Sequence, residues 1–294
     1  MYEKVIALLK CPNCGKSLHL VNSVLDAGEI VKGNLTCNCD ETWEIRDGIL
    51  DFRVEEQKSV NRWSELTKDM SFEELDEMIL SKTPKIQQEL TNKTIEDIVN
   101  HINYTNPKYA IDIATGRGML LNQLVKEIKN EFHLVCTDLS YVVLRADRVK
   151  IQKYNPKIKV SFISCDATNL PFLDNIYDLV ISFMGISNMG ILIPKALKET
   201  CRVLKKDHNF LNSTIIIKEN SVGYNALKDF FSNEKSMGFE KFVLLNELEN
   251  FHKDAGFKDA GFKMIGENTG QKNEMDLLPY EGEWFGIGNV YAKK

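Results

Sequence analysis

A chain of 294 residues with 43% hydrophobic and 27% charged positions has the make-up of a soluble globular protein, long enough for one ordinary domain and a small companion. Its net charge of −5 gives no general pull toward nucleic acid or anionic lipid, and no apolar run approaches the length of a membrane span. The opening apolar stretch is too short for a signal peptide and carries an early acid, Glu3, so a cytoplasmic location is the expectation.

Four of the seven cysteines fall in the first 39 residues as two close pairs, Cys11-Pro-Asn-Cys14 and Cys37-Asn-Cys39. Tight turns of this kind aim two thiolates at one ion, and tetrahedral zinc needs four such ligands. A segment this small has little core, so the metal would supply folding free energy directly. The second pair is one residue shorter than the usual Cys-x-x-Cys, which leaves His19 and Asp40 as substitutes for the fourth ligand. Cys136, Cys165 and Cys201 stand singly in apolar surroundings and read as small buried residues. Leu8-Leu-Lys-Cys-Pro-Asn-Cys-Gly15 and Trp43-Glu-Ile-Arg-Asp-Gly-Ile-Leu-Asp-Phe52 resemble the small zinc-ribbon proteins that accompany methyltransferases acting on RNA and translation factors. By that resemblance residues 1–53 form a zinc-ribbon domain with Cys11, Cys14, Cys37 and Cys39 on the metal. Residues 1–60 hold seven Lys/Arg and ten Asp/Glu, a local balance of −3 that disfavours phosphate contact. The ribbon is expected to pack on the rest of the chain or to meet a protein partner.

Residues 54–103 read as a helical connector or lid. Ser71-Phe-Glu-Glu74 spells a capping box, and Thr83-Pro84 a cap followed by proline at the first helical position. Ile86, Leu90, Ile95, Ile98, Val99 and Ile102 make an apolar stripe. Trp63 would line a pocket or anchor the connector.

The third region, 104–294, opens on Tyr109-Ala-Ile-Asp-Ile-Ala-Thr-Gly-Arg-Gly-Met-Leu-Leu121. An apolar run, a turn of small residues and helical spacing at Leu120, Leu121, Leu124, Val125 and Ile128 describe a buried parallel strand, a tight loop and an amphipathic helix. Small residues admit a ligand to the backbone, and the helix start offers free N–H groups. Dinucleotide-binding proteins use such a loop too, so its companions decide. His133 to Asp138 is a second strand ending in an acid, about 20 residues beyond the glycines, where a carboxylate can hold ribose hydroxyls. Val160 to Cys165 is a third strand, followed by Asp166-Ala-Thr and Leu170-Pro-Phe172, and Tyr177 to Phe183 is a fourth.

These four segments, in this order, resemble class I S-adenosylmethionine-dependent methyltransferases, most of all the ubiquinone and menaquinone C-methyltransferases. The resemblance implies an α/β fold with a Rossmann-like sheet of seven strands. It places Asp112, Ala114, Thr115, Gly116 and Gly118 at the methionine end of the cofactor. It also places Asp138 and Leu139 at the ribose, and Asp166 and Ala167 at the adenine. Two departures stand out. Ala114 replaces the first glycine of the family's loop, and Lys205-Lys-Asp-His-Asn209 replaces its usual Pro-Gly-Gly turn, which obscures the start of the fifth strand.

Beyond the fourth strand, Phe183 and Met184 are expected to flank the adenosine and sulfonium, with Ser187 and Asn188 facing the acceptor, since ligands sit at the carboxyl ends of such strands. A helix over 194–204 and a strand near 212–218 follow. Residues 221–247 read as the substrate-facing insertion. Ala255-Gly-Phe-Lys258 is repeated as Ala260-Gly-Phe-Lys263, and the second copy is expected to lengthen the junction before the sixth strand. Residues 284–292 supply the seventh. His101, His208, His252, Tyr224 and Glu219 are candidate bases, but no spacing singles one out, and no catalytic residue is assigned. No Asn-Pro-Pro-Tyr or Asp-Pro-Pro-Tyr follows the fourth strand, which weakens a DNA- or amide-methylating reading. The expected function is methyl transfer to a small molecule by in-line displacement. RNA methylation guided by the ribbon is the alternative, and a non-catalytic cofactor-binding scaffold the third reading.

Overall fold

The computed structural model describes residues 1–58, 65–67, 69–151, 155, 158–231 and 239–294. Trp63 lies outside them. Among the described residues eleven strands form one sheet in the order β1-β2-β3-β4-β7-β6-β5-β8-β9-β11-β10. The last seven places belong to the third region: β5 (Tyr109–Ile113), β6 (Phe132–Asp138), β7 (Ile158–Ser164), β8 (Tyr177–Phe183), β9 (Leu204–Ile217), β10 (Asp259–Thr269) and β11 (Trp284–Lys293). β7, β6, β5, β8 and β9 run parallel, and β11 closes antiparallel between β9 and β10. Parallel strands joined by helices are covered on both faces, which is why β5, β6 and β8 are apolar almost throughout and buried at nearly every position.

The other four strands come from residues 1–53, the segment expected to be a ribbon: β1 (His19–Asp26), β2 (Glu29–Thr36), β3 (Thr42–Arg46) and β4 (Ile49–Asp51). They form an antiparallel meander. β4 then pairs in parallel with β7, Ile49 opposite Phe162 and Asp51 opposite Ser164, so the ribbon prolongs the central sheet. Side chains fix the seam. Arg148 donates to Glu29 at 2.8 Å, the Tyr141 hydroxyl donates to the Arg46 carbonyl at 2.9 Å, and the Arg46 guanidinium lies 4.9 Å from the Tyr141 ring centre. Tyr141 and Arg148 lie on the helix Tyr141–Ile151.

The helices are α1 (Phe72–Lys82), α2 (Lys85–Thr105), α3 (Met119–Glu127), α4 (Tyr141–Ile151), α5 (Ile193–Val203), α6 (Val222–Phe231) and α7 (Leu245–Asp254). The Ser71 capping box is present in both halves, Glu74 N–H to Ser71 Oγ at 3.2 Å and Ser71 N–H to Glu74 Oε2 at 2.7 Å. Thr83 closes α1 and Pro84 is itself the cap of α2, which begins at Lys85, one residue after the expected start. The α2 stripe is buried against α3 and the sheet.

Two departures from the sequence expectations have local causes. β9 begins at Leu204, because Lys205 to Asn209 is strand with a bulge opposite β8 and Asp207 in the left-handed region (φ 61°), where the family pattern has a turn. The second Ala-Gly-Phe-Lys copy does not lengthen the junction. It lies inside β10, paired with Val290 to Ala292, while the first copy ends α7 with Gly256 at φ 104°. No helix of the described residues is long and apolar enough to cross a membrane.

Candidate functional site

The parallel pairings align strand ends. Asp112 sits opposite Cys136 and Ile181, and Asp138 opposite Ser164. The expected residues of the loop and the acids therefore converge on one sheet edge. Ala114 has φ 55°, Gly116 58° and Gly118 69°. The position that departs from the family's glycine thus demands a left-handed backbone as well as a small side chain, which an alanine adopts only under strain. The loop is held by the Thr115 N–H donating to the Thr137 carbonyl at 2.9 Å and the Gly116 N–H donating to Asp138 Oδ2 at 2.9 Å. Asp138 Oδ1 accepts from the Ser140 N–H at 2.7 Å. Burial pushes the Asp138 carboxyl up, while backbone N–H groups favour its ionised form.

Asp112 is buried, with Oδ2 accepting from the Thr115 hydroxyl at 2.5 Å and no hydrogen-bond partner for Oδ1 among the described residues. Burial pushes its carboxyl up to about 7, against the Thr115 bond and with help from the Asp138 charge. Gly185 packs on the loop from the other side. A Cβ there would stand 2.6 Å from the Ala114 carbonyl oxygen, which brings the Phe183-Met184-Gly185 turn hard against the glycine loop. Met184 itself has φ 59°. Leu139 is exposed and Ala167 partly buried beside Asp166. Asp166 Oδ1 accepts from the Thr168 N–H at 2.7 Å.

Three side chains here are not among the residues expected from the sequence. Gln57, in the connector, donates to Asp166 Oδ2 at 3.1 Å. Asp76 of α1 accepts from Arg117 in the glycine loop and from Lys150 of α4, the latter at 2.7 Å, which ties α1 to the loop. Asp147 lies behind Gly118, where an added Cβ would stand 2.6 Å from its carboxylate, and burial raises its carboxyl well above the usual range. An acid three residues beyond Leu144 on a buried helical face was the one available signal.

Ser187 and Asn188, expected to face the acceptor, bond within the fold. Ser187 donates to Thr214 Oγ1 at 3.1 Å and Asn188 to the Met184 carbonyl at 2.7 Å. Of the candidate bases, His252 is buried among Phe210, Phe242 and Phe257, and burial brings its pKa down to about 4. His101 stacks edge-on to Tyr291, and His208 contacts the Lys206 carbonyl.

In the ribbon, the Sγ atoms of Cys11, Cys14, Cys37 and Cys39 all lie within 4.8 Å of one another, with Cys14–Cys37 at 3.3 Å and Cys11–Cys39 at 3.7 Å. Tetrahedral zinc with Zn–S near 2.3 Å separates its sulfurs by about 3.8 Å, so the donor set fits that ion. Cys39 joins the group, whereas His19 and Asp40 do not. The Cys14 thiol is pulled down to about 7, chiefly by the Lys16 backbone N–H, and so is the readiest to ionise.

Residues 110–207 match the family model described as a methyltransferase domain. The ubiquinone/menaquinone biosynthesis C-methyltransferase of Rickettsia peacockii is 28% identical over 181 residues, covering 53% of this chain and 71% of the relative. The corresponding enzyme of Rickettsia typhi is 36% identical over 124 residues, covering 41% and 48%. The demethylmenaquinone methyltransferase of Bacteroides fragilis is 35% identical over 107 residues, covering 36% and 43%. A crystal structure of a methyltransferase from Bacillus halodurans superposes with a TM-score of 0.43 at 19% identity, over 63% of this chain and 92% of that one. Residues 110–207 thus carry a methyltransferase domain, and the chain is an S-adenosylmethionine-dependent methyltransferase similar to these relatives. Within that class, the relatives named above are enzymes of quinone methylation.

Proposed function

We propose that the protein methylates a small, largely apolar acceptor held beyond the ends of β8 and β9. The observation that carries this reading is the apolar cluster there. Leu90 of α2, Ile217 of β9, Tyr224 of α6 and Leu244 are buried together, and Met184 packs both on this cluster and on the core of the sheet. Tyr224 is also surrounded by Glu240, Glu219 and Glu247, which together with burial keep its hydroxyl neutral. Such a wall suits an apolar molecule and repels a phosphate backbone. A quinone-type ring is the acceptor class that the relatives' names offer.

On this reading the cofactor lies along the strand ends. Asp112 and the loop 114–118 take its methionine end, Asp138 and Leu139 the ribose, Asp166 and Ala167 the adenine, and Phe183 and Met184 the sulfonium side. When bound, S-adenosylmethionine supplies an activated methyl group. The chain's own task is then alignment and exclusion of water. Met184 and α2 provide the apolar cover, and the Asp76–Arg117 pair holds α1 over the loop. The reading keeps three parts, with residues 1–53 as a zinc ribbon held by Cys11, Cys14, Cys37 and Cys39, 54–103 as connector and lid, and 104–294 as the transferase.

The test is transfer of a radioactive methyl group into a fractionated cell extract. Label in the organic-soluble fraction is expected. Label confined to acid-precipitable RNA would replace this acceptor with the nucleic-acid one, and no label in any fraction would favour a non-catalytic scaffold.

A further inference from the structure

The first cysteine knuckle is built into the wall of the Asp166 turn. Asn169, three residues beyond Asp166, donates to the Pro12 carbonyl at 3.4 Å, and Pro12 lies between the ligands Cys11 and Cys14. The strand-like stretch before the knuckle pairs with the chain after the turn. Lys10 N–H bonds the Pro171 carbonyl at 3.0 Å, Leu173 N–H bonds the Leu8 carbonyl at 2.9 Å, and Leu9 bridges Phe172. From the ribbon's other end, Phe52 N–H bonds the Ser164 carbonyl at 2.8 Å, and Gln57 reaches Asp166 Oδ2 at 3.1 Å while accepting from the Val54 N–H at 3.2 Å. Pro12, Asn13, Phe52, Gln57, Asp166 and Asn169 enclose a pocket of about 60 Å³. The two residues between Cys11 and Cys14 therefore face the same small space as the acid read as the adenine acceptor.

We propose that the Cys11–Cys14 knuckle and Gln57 form the outer wall of the adenine subsite, so that metal loading of the cysteine cluster and cofactor binding stabilise each other. This rests on the assignment of Asp166 to the adenine. The physical route is short. Four thiolates on one ion fix the path of residues 11–14, and that path carries the Pro12 carbonyl that anchors Asn169. Release of the ion frees the knuckle and, with it, the Asp166 turn and the connector that presents Gln57. Linkage requires the coupling to be reciprocal.

The test is calorimetric titration of S-adenosylhomocysteine into the full chain, first zinc-loaded and then stripped by a chelator under reducing conditions, with circular dichroism to follow the sheet. The stripped chain should bind at least about tenfold more weakly, with affinity restored by zinc, a coupling of ordinary size. Zinc release to a chromophoric chelator should slow by a similar factor when the ligand is saturating. The double variant Gln57→Leu/Asn169→Ala, zinc-loaded throughout, should bind about three- to tenfold more weakly and lose most of the ligand's effect on zinc release. If stripping unfolds the chain, this variant decides the matter. Wild-type affinity in the folded stripped chain, or in the double variant, would overturn the proposal alone. Failure of the zinc-loaded wild type to bind at all would instead overturn the cofactor assignment beneath it.

Discussion

The ribbon edge and the parallel centre of the eleven-stranded sheet are stabilised by different means. At the ribbon edge, β1 is exposed at every position but the half-buried Leu20, and among the described residues it pairs only with β2. The buried residues Ile30, Leu35, Trp43 and Ile45 of its meander join a cluster that continues into one face of the transferase sheet, and four thiols lie together nearby. In the parallel centre, β5, β6 and β8 are buried on both faces, and no cross-link is needed. Apolar burial holds the one, while docking on β7, and ligation once the four thiols hold a metal, hold the other. One sheet can thus contain a region vulnerable to chelation beside a region vulnerable mainly to changes in packing.

That contrast can be broken in several ways, beginning with the metal. Cys37→Ser, or chelation of the wild type, should cost the ribbon about 5 kcal/mol or more. The loss should appear in hydrogen exchange as faster exchange across residues 19–46, with residues 109–138 much less affected. Equal loss across both would mean that the ribbon is not a distinct cooperative unit.

Acid should strike the other region. His252 has a folded-state pKa of about 4 against an ordinary value of 6.5. The unfolded chain therefore binds a proton there that the folded chain does not, and stability falls as pH drops from about 6.5 to about 4. The loss approaches about 3 kcal/mol, since every tenfold drop in proton affinity on folding corresponds to about 1.4 kcal/mol. His252→Gln should flatten this slope in denaturant titrations, and an unchanged slope would remove His252 as its source.

Glycine substitutions sharpen the comparison further. Gly185→Ala puts a methyl group 2.6 Å from the Ala114 carbonyl oxygen and should cost about 1–3 kcal/mol, with weakened cofactor binding. Gly28, in the ribbon, has φ 82° and nothing within 4 Å of an added Cβ, so Gly28→Ala should cost only about 1 kcal/mol, from backbone strain alone. Thermal unfolding that ranks the two in the opposite order would contradict the packing described around Ala114.

Much of the transferase region was legible because its physics is local. The run from Tyr109 to Ile113, the small-residue turn and the stripe of α3 lie within 20 consecutive residues, and Asp138 and Asp166 sit at or just beyond the ends of apolar runs. The ribbon's merger with the sheet was not legible. It depends on backbone pairing by a strand of three residues, Ile49–Asp51, and backbone bonds carry no side-chain pattern. Gln57 was hidden for another reason, since its partner is 109 residues away and an exposed-looking glutamine in a connector has no periodicity to betray it. Ala114 was legible as a small residue and not as a left-handed one, because residue type alone does not report φ.

The central claim is that the aligned strand ends hold the cofactor, and two titrations with S-adenosylhomocysteine test it. The first varies pH. Asp112 ionises near 7 in the folded chain, and an ammonium beside it favours the ionised form, so binding below that pH releases a proton. Affinity should rise by about tenfold from pH 6 to pH 8, and Asp112→Asn should remove the dependence. The second and most direct is Asp138→Ala at constant pH. Loss of a hydrogen bond to a charged carboxylate should weaken binding by about 1–3 kcal/mol, roughly 5- to 150-fold. Wild-type affinity in Asp138→Ala would contradict the claim and place the cofactor away from the end of β6.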